Sequence, residues 1–182
     1  MALKSTICKA DLALADIGRN RYGDYALTLA RHPSETDERM MMRVLAFALH
    51  ASDSLEFGKG LSTEDEPDLW QRDLTGVIES WIDVGLPDEK DIRKACGRAR
   101  EVHVYAYGGR SVGLWWNKVS VRVETLQRLH VAEVPLEASR ALAAIAARSM
   151  RLHCTMQEGH VLFADESTSV SIELMTLKSA TA

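Results

Sequence analysis

Carboxylates at short spacing give this chain its clearest means of doing chemistry. Asp68 and Glu79 stand eleven positions apart, on either side of a turn between candidate strands. Hydrogen-bonded strands lie about 4.8 Å apart, so carboxylates on neighbouring strands can share one hard cation. Magnesium takes oxygen ligands and keeps several waters, so one or two carboxylates plus a substrate phosphate suffice. A cation held that way polarises a phosphodiester and generates hydroxide at neutral pH. The acidic run Glu64-Asp65-Glu66-Pro67-Asp68 adds Asp65 as a further candidate. A solvated acidic loop fits the same residues, and the spacing alone does not separate the two.

Other side chains surround this possibility. Strand alternation over Val77–Val84 puts Glu79, Trp81 and Asp83 on one face and Ile78, Ile82 and Val84 on the other. Trp81 therefore either walls a site and stacks on a base, or covers the sheet with its indole N–H on a carboxylate. On a helix expected from Glu89 to Ala99, Ile92, Ala95, Cys96 and Ala99 form the buried stripe. Lys90, Lys94 and Arg98 then lie opposite, as a solvated basic face or a ridge that tracks phosphates. Trp115 and Trp116 read as one core ring and one surface ring. The six histidines contain no HExxH or HxH pattern, and His32 beside Pro33 reads as a turn residue. There is no phosphate-cradling glycine loop and no serine elbow, and Gly108-Gly109 is a bare turn.

These groups need elements to position them. Thr6 to Leu14 alternates apolar and polar, and Tyr25, Leu27 and Leu29 repeat the period after a turn near Asn20, which predicts a hairpin. Ser34-Glu35-Thr36-Asp37 resembles a capping box opening a helix with Met41, Val44, Leu45 and Ala48 on its apolar stripe. Glu38 flanks that stripe, within reach of a sheet edge. Strands are expected at Leu55–Gly58, Val77–Val84, Val102–Tyr107 and Val119–Val123. An alanine-rich helix follows Pro135, and a last hairpin turns at Glu158-Gly159. This order predicts a single domain of α/β (α+β) class over 1–182, a mixed β-sheet flanked by helices. Its core αβ unit is expected over about 34–108, with the hairpin added before it and a helix plus hairpin after it.

The bulk numbers agree with one ordinary core. The chain has 182 residues, of which 46% are hydrophobic and 26% charged. No apolar run approaches the roughly 20 residues of a membrane helix, and the N-terminus lacks a signal-peptide core, so a cytoplasmic location and no membrane partner are expected. Cys8, Cys96 and Cys154 are dispersed, which reads as buried reduced thiols rather than a disulfide frame or zinc site. The net charge of −4 speaks against a generic grip on nucleic acid.

Four blocks resemble the YaeQ family: Leu29-Ala30-Arg31-His32-Pro33-Ser34-Glu35-Thr36, Asp65-Glu66-Pro67-Asp68-Leu69-Trp70, Trp81-Ile82-Asp83-Val84-Gly85-Leu86-Pro87-Asp88, and Arg93-Lys94-Ala95. The likeness runs over essentially the whole chain. It implies a bacterial protein with a compact variant of the PD-(D/E)XK nuclease fold, a restriction-endonuclease-like core. In that superfamily a helix acid, the Asp of a Pro-Asp pair and a (D/E)-x-K triplet surround magnesium. Glu38, Asp68 and Glu79 match the three acids, which makes them the implied metal ligands. The triplet ends in Trp81 where lysine would stabilise phosphate charge. Some members move that lysine to the next helix, where Lys94 is the nearest candidate; Lys59 is another lysine that could enter the cluster. The implied function is a magnesium-dependent phosphodiesterase acting on nucleic acid, with Asp68, Glu79 and Lys94 catalytic and Asp65, Asp83 and Trp81 additional. The alternative is a non-catalytic nucleic-acid- or protein-binding protein, associated with transcription, that kept the fold. No organic cofactor is expected, and the chain should be a monomer or small homo-oligomer.

Overall fold

Alternating side chains fix the first two strands of the computed structural model, which describes residues 4–59 and 65–181. In β1 (Thr6–Asp16) Cys8, Ala10, Leu12 and Leu14 are buried, and β2 (Arg21–Arg31) pairs with it antiparallel in unbroken register. Asn20, at φ 52°, makes the turn in the left-handed region that asparagine tolerates. A helix, α1 (Asp37–His50), follows, capped by Thr36, whose Oγ1 accepts the Arg39 N–H at 3.1 Å. The cap thus falls two residues after the Ser34 expected to start the box. β3 (Leu55–Phe57), β4 (Leu69–Arg72) and β5 (Ile78–Val84) form an antiparallel meander. The crossover helix α2 (Glu89–Arg98) leads to β6 (Ala99–Ala106), parallel to β5. Then come α3 (Arg110–Val123), β7 (Leu129–Glu133), α4 (Leu136–Ala144), β8 (Ser149–Gln157), β9 (His160–Ala164), β10 (Ser169–Glu173) and β11 (Met175–Lys178).

Two sheets form where one was expected. β10-β9-β8-β1-β2 make a five-stranded sheet and β11-β7-β6-β5-β4-β3 a six-stranded one, each with parallel and antiparallel pairs. Helix α1 lies between them. Phe47 on α1 meets Tyr25 of β2 edge-on at 5.4 Å and Phe57 of β3 in a stack at 5.6 Å. Every residue from Met40 to Leu49 is buried, which a helix tolerates only when protein surrounds it on all sides. On the other face of the six-stranded sheet, Ile92 and Ala95 of α2 and Val112, Trp115, Val119 and Val123 of α3 form a second core with Val102, Val104 and Ala106.

The strand expected at Val119–Val123 is therefore the end of α3. Valines at alternate positions imitate strand periodicity, but Val112, Trp115, Val119 and Val123 repeat at helical spacing and are the ones that bury. A second correction concerns Ile78, which packs with Trp81 and not with Ile82 and Val84. Ile78 faces Arg72 and Ser80 faces Gln71, so Glu79 is the extra residue of a bulge that interrupts alternation. Cys8 and Cys154 are buried thiols, whereas Cys96 is only half-buried. Among the described residues no helix is long and apolar enough to cross a membrane.

Candidate functional site

The N-terminal turn of α1 and the head of the β4–β5 ladder meet at a cluster of charges. Leu69 faces Ile82 across that ladder, which sets Asp68 beside Asp83. Asp68 donates its backbone N–H to Asp83 Oδ1 at 3.2 Å, and Asp68 Oδ2 accepts the Val84 N–H at 2.8 Å. Asp83 Oδ2 accepts the Trp81 indole N–H at 2.8 Å, so Trp81 covers the sheet with its nitrogen on a carboxylate. Burial, reinforced by the negative charge of Asp68, pushes the Asp83 carboxyl up to about 7.

Arg39 supplies the positive charge. Its guanidinium pairs with Asp68 Oδ1 and reaches Glu35 Oε1 at 2.9 Å. Burial alone would lower its pKa, but Asp68 and Glu35 outweigh that and raise it, so the group is always cationic. Behind it, Arg43 Nε and Nη2 grip the two Glu35 carboxylate oxygens at 2.8 Å each. Tyr107 faces the same cluster, its hydroxyl pushed up to about 12 mainly by burial, with Glu38, Asp68 and Glu35 adding and Arg39 opposing.

The expected site residues divide accordingly. Asp68 and Asp83 come together. Glu38 lies on the first turn of α1 and accepts the Ser139 hydroxyl of α4 at 2.6 Å. Glu79 does not join them: it pairs with Arg100 at 2.9 Å, and four residues of strand, roughly 13 Å, separate it from Asp83. Lys94 is exposed and bonded to Asp65, whose backbone carbonyl also accepts Arg98 Nη1 at 2.8 Å. Lys59 sits by Glu66, with Nζ 3.7 Å from its carboxylate. Glu64, first of the acidic run, lies outside the described residues. Sequence reasoning missed Glu35, Arg39 and Tyr107. The signal was present, since charges at 35, 39 and 43 recur every four residues, which lines Arg39 and Arg43 up along α1 with Glu35 just before its cap.

Magnesium fits this donor set poorly. Both Asp83 oxygens and both Asp68 oxygens already accept hydrogen bonds, and Arg39 occupies the side from which a cation would bind. Among the described residues, the one trio of histidine, cysteine or carboxylate ligand atoms lying within 4.8 Å of one another is elsewhere, at Glu101, His103 and His130. There the His103 and His130 rings stack at 4.5 Å, and His50 from α1 lies 4.4 Å from His103 with its Nε2 on the Tyr105 hydroxyl at 2.5 Å. Burial lowers the His50 pKa to about 3 and the His103 pKa to about 4, so both rings are neutral near pH 7.

The family model for YaeQ proteins matches residues 1–174. The uncharacterized protein YaeQ of Salmonella typhi is 44% identical over 174 residues, 96% of either chain. That of Escherichia coli K12 is 41% identical over the same length and coverage. The crystal structure of the YaeQ protein from Xanthomonas axonopodis pv. citri superposes with a TM-score of 0.93 at 46% identity, covering 96% of this chain and 99% of that one. The Pseudomonas syringae YaeQ protein gives 0.92 at 35% identity, covering 96% and 97%. With the whole-length match and the shared architecture together, the chain belongs to the YaeQ family.

Proposed function

We propose that this protein is a non-catalytic binding protein on a nuclease-like scaffold, and that its partner is another protein. The nuclease-like unit expected over about 34–108 comprises α1, β3, β4, β5, α2 and β6, with Pro67-Asp68 at the head of β4. One observation carries the non-catalytic reading: the Arg39 guanidinium sits between Asp68 and Glu35, where a nuclease would bring a metal ion to its acids. An arginine there balances the carboxylates permanently and leaves no exchangeable site for metal-bound water. The position two residues after Glu79 holds Trp81, and Lys94 is bound to Asp65 at the surface.

The choice of partner follows from charge and surface. The chain carries a net charge of −4, and two of the three cations on the α2 ridge, Lys94 and Arg98, are engaged with Asp65. A phosphate backbone would meet little free positive charge. On the outer face of α3, Leu114 and Val121 are 65% and 78% exposed and stand two turns apart, and Val121 borders a cleft with the half-buried Trp116 and Leu177. Apolar side chains grouped at a helix surface suit a protein interface.

The test uses end-labelled single- and double-stranded DNA and RNA with magnesium or manganese. Cleavage by wild type should not exceed that of Asp68→Asn and Asp83→Asn, and anisotropy should show no salt-sensitive binding. Metal-dependent cleavage that both substitutions abolish would restore the phosphodiesterase reading. Salt-sensitive binding lost in Lys90→Glu would assign the partner to nucleic acid.

A further inference from the structure

We propose that Glu101, His103 and His130 form a binding site for one borderline divalent metal ion, zinc foremost, on the α1-facing side of β6 and β7. The site is assembled by register. His103 faces His130 across the parallel β6–β7 pair, and Glu101, two residues before His103, projects from the same face. Their ligand atoms all lie within 4.8 Å of one another. Two zinc bonds of 2.0–2.1 Å at a tetrahedral angle place ligand atoms about 3.4 Å apart. His103 Nε2 and Glu101 Oε2 already stand 3.4 Å apart. The His130 ring has to turn; it stacks on His103 and takes one long hydrogen bond, from Ala180 N–H to Nδ1 at 3.5 Å. Rotation about that terminal torsion is soft.

The surroundings resemble a metal pocket more than a stack of rings that merely fill space. A cavity of about 190 Å³ opens over the rings, lined by His103, Tyr105, His130, Thr176 and Lys178 among others, and leaves room for water as further ligands. Two imidazoles with one carboxylate is a ligand set that zinc takes in open, three-residue sites. Glu101 is the carboxylate that acts on His103. Arg19, from the β1–β2 turn, and Lys178, from β11, are the cations directed toward the group, and Lys178 Nζ has Ser179 O at 3.5 Å. Behind the ligands, the His50–Tyr105 hydrogen bond fixes the wall on which His103 rests, and the carbonyl end of α1 favours positive charge. The site is separate from the Arg39 cluster: eleven helical steps, about 16 Å, separate Arg39 from His50.

The experiment is calorimetric titration of zinc chloride into tag-free, chelator-treated protein, with cobalt(II) absorption as a second readout. Wild type should take up one equivalent, and His103→Gln and His130→Gln should each weaken binding by about tenfold or more. The cobalt bands should be lost in the same variants. No uptake by wild type overturns the proposal, as does affinity unchanged in His130→Gln. Loss of the bound equivalent on His160→Gln instead would overturn it too, since His160 and Glu173 pair at 3.1 Å on the surface and could collect the ion. If a histidine variant fails to fold, Glu101→Gln decides, because that side chain is 59% exposed and tolerates replacement. Unchanged affinity there also overturns the site.

Discussion

Replacing Arg43 with methionine removes a charge that water never reaches. The Arg43 and Glu35 side chains are 1% and 2% exposed, and their two parallel hydrogen bonds of 2.8 Å are lost together in the variant. Breaking a buried pair from one side costs about 3–5 kcal/mol, mostly because the remaining charge is left without its partner. Here Glu35 keeps Arg39 at 2.9 Å, which places the expected loss near the lower end, about 3 kcal/mol. For a domain of this size each kcal/mol moves Tm by about 2–4 °C, so Arg43→Met should melt about 6–12 °C lower. Urea denaturation followed by the fluorescence of the four tryptophans measures the first quantity and a thermal melt the second. Glu35→Leu in the Arg43→Met background removes the stranded charge, and most of the loss should return. A loss under about 1 kcal/mol for Arg43→Met, or a double variant worse than the sum of the singles, refutes the reasoning.

Asp83→Asn should change how stability depends on pH. The folded pKa of about 7 lies above the roughly 3.9 of an unfolded aspartate, so the folded chain holds a proton that the unfolded chain has released. The Asp83 contribution is therefore full below about pH 4 and is lost as pH rises through 7. His50 and His103 act oppositely: with folded pKa values of about 3 and 4 against an ordinary 6.5, they destabilise the fold as pH falls below 6.5. The Asp83 effect is thus read as a difference, with Asp83→Asn gaining on wild type steadily from pH 4 to 7.5 in thermal melts, and equal slopes would contradict it. Gly58→Ala should cost about 2 kcal/mol or more in urea denaturation, since an added Cβ would lie 1.9 Å from the Pro67 carbonyl oxygen; a neutral result would show that Pro67-Asp68 shifts freely.

Local patterns reveal what local geometry controls. The first hairpin, the last one at Glu158-Gly159 and helix α2 follow from alternation, turn residues and the 92/95/96/99 stripe. Helix α1 misleads because the Met41, Val44, Leu45 and Ala48 stripe reads as one apolar face, when every residue from Met40 to Leu49 is buried. Two sheets rather than one cannot be deduced from element order, since β1 pairs with β8 across more than a hundred residues. The same holds for the sites. Asp83 outranks Glu79 as the neighbour of Asp68 only because the ladder opposes Leu69 to Ile82 and the bulge sits at Glu79. His103 and His130 are 27 residues apart and meet through parallel register, which no short motif reports.

The charged line on α1 is the physical feature that ties these observations together. A helix closed in by two sheets gains most from apolar side chains, and Arg43 with its Glu35 partner is an expensive exception. Salt bridges that deep are weak sources of stability, because hydrophobic residues of similar volume do as well or better. What they provide here is position. Arg43 fixes Glu35, Glu35 with Asp68 fixes Arg39, and Asp68 with the Val84 amide fixes the end of β5. At the far end of the helix, His50 is fixed by Tyr105 on β6. Because α1 is packed on every side, it cannot rotate or slide without separating the sheets. The acid–arginine cluster and the histidine face are therefore held at constant spacing by one rigid rod. The fixed spacing keeps the buried Asp68 and Glu35 carboxylates on Arg39 at one end and His50 on Tyr105 at the other.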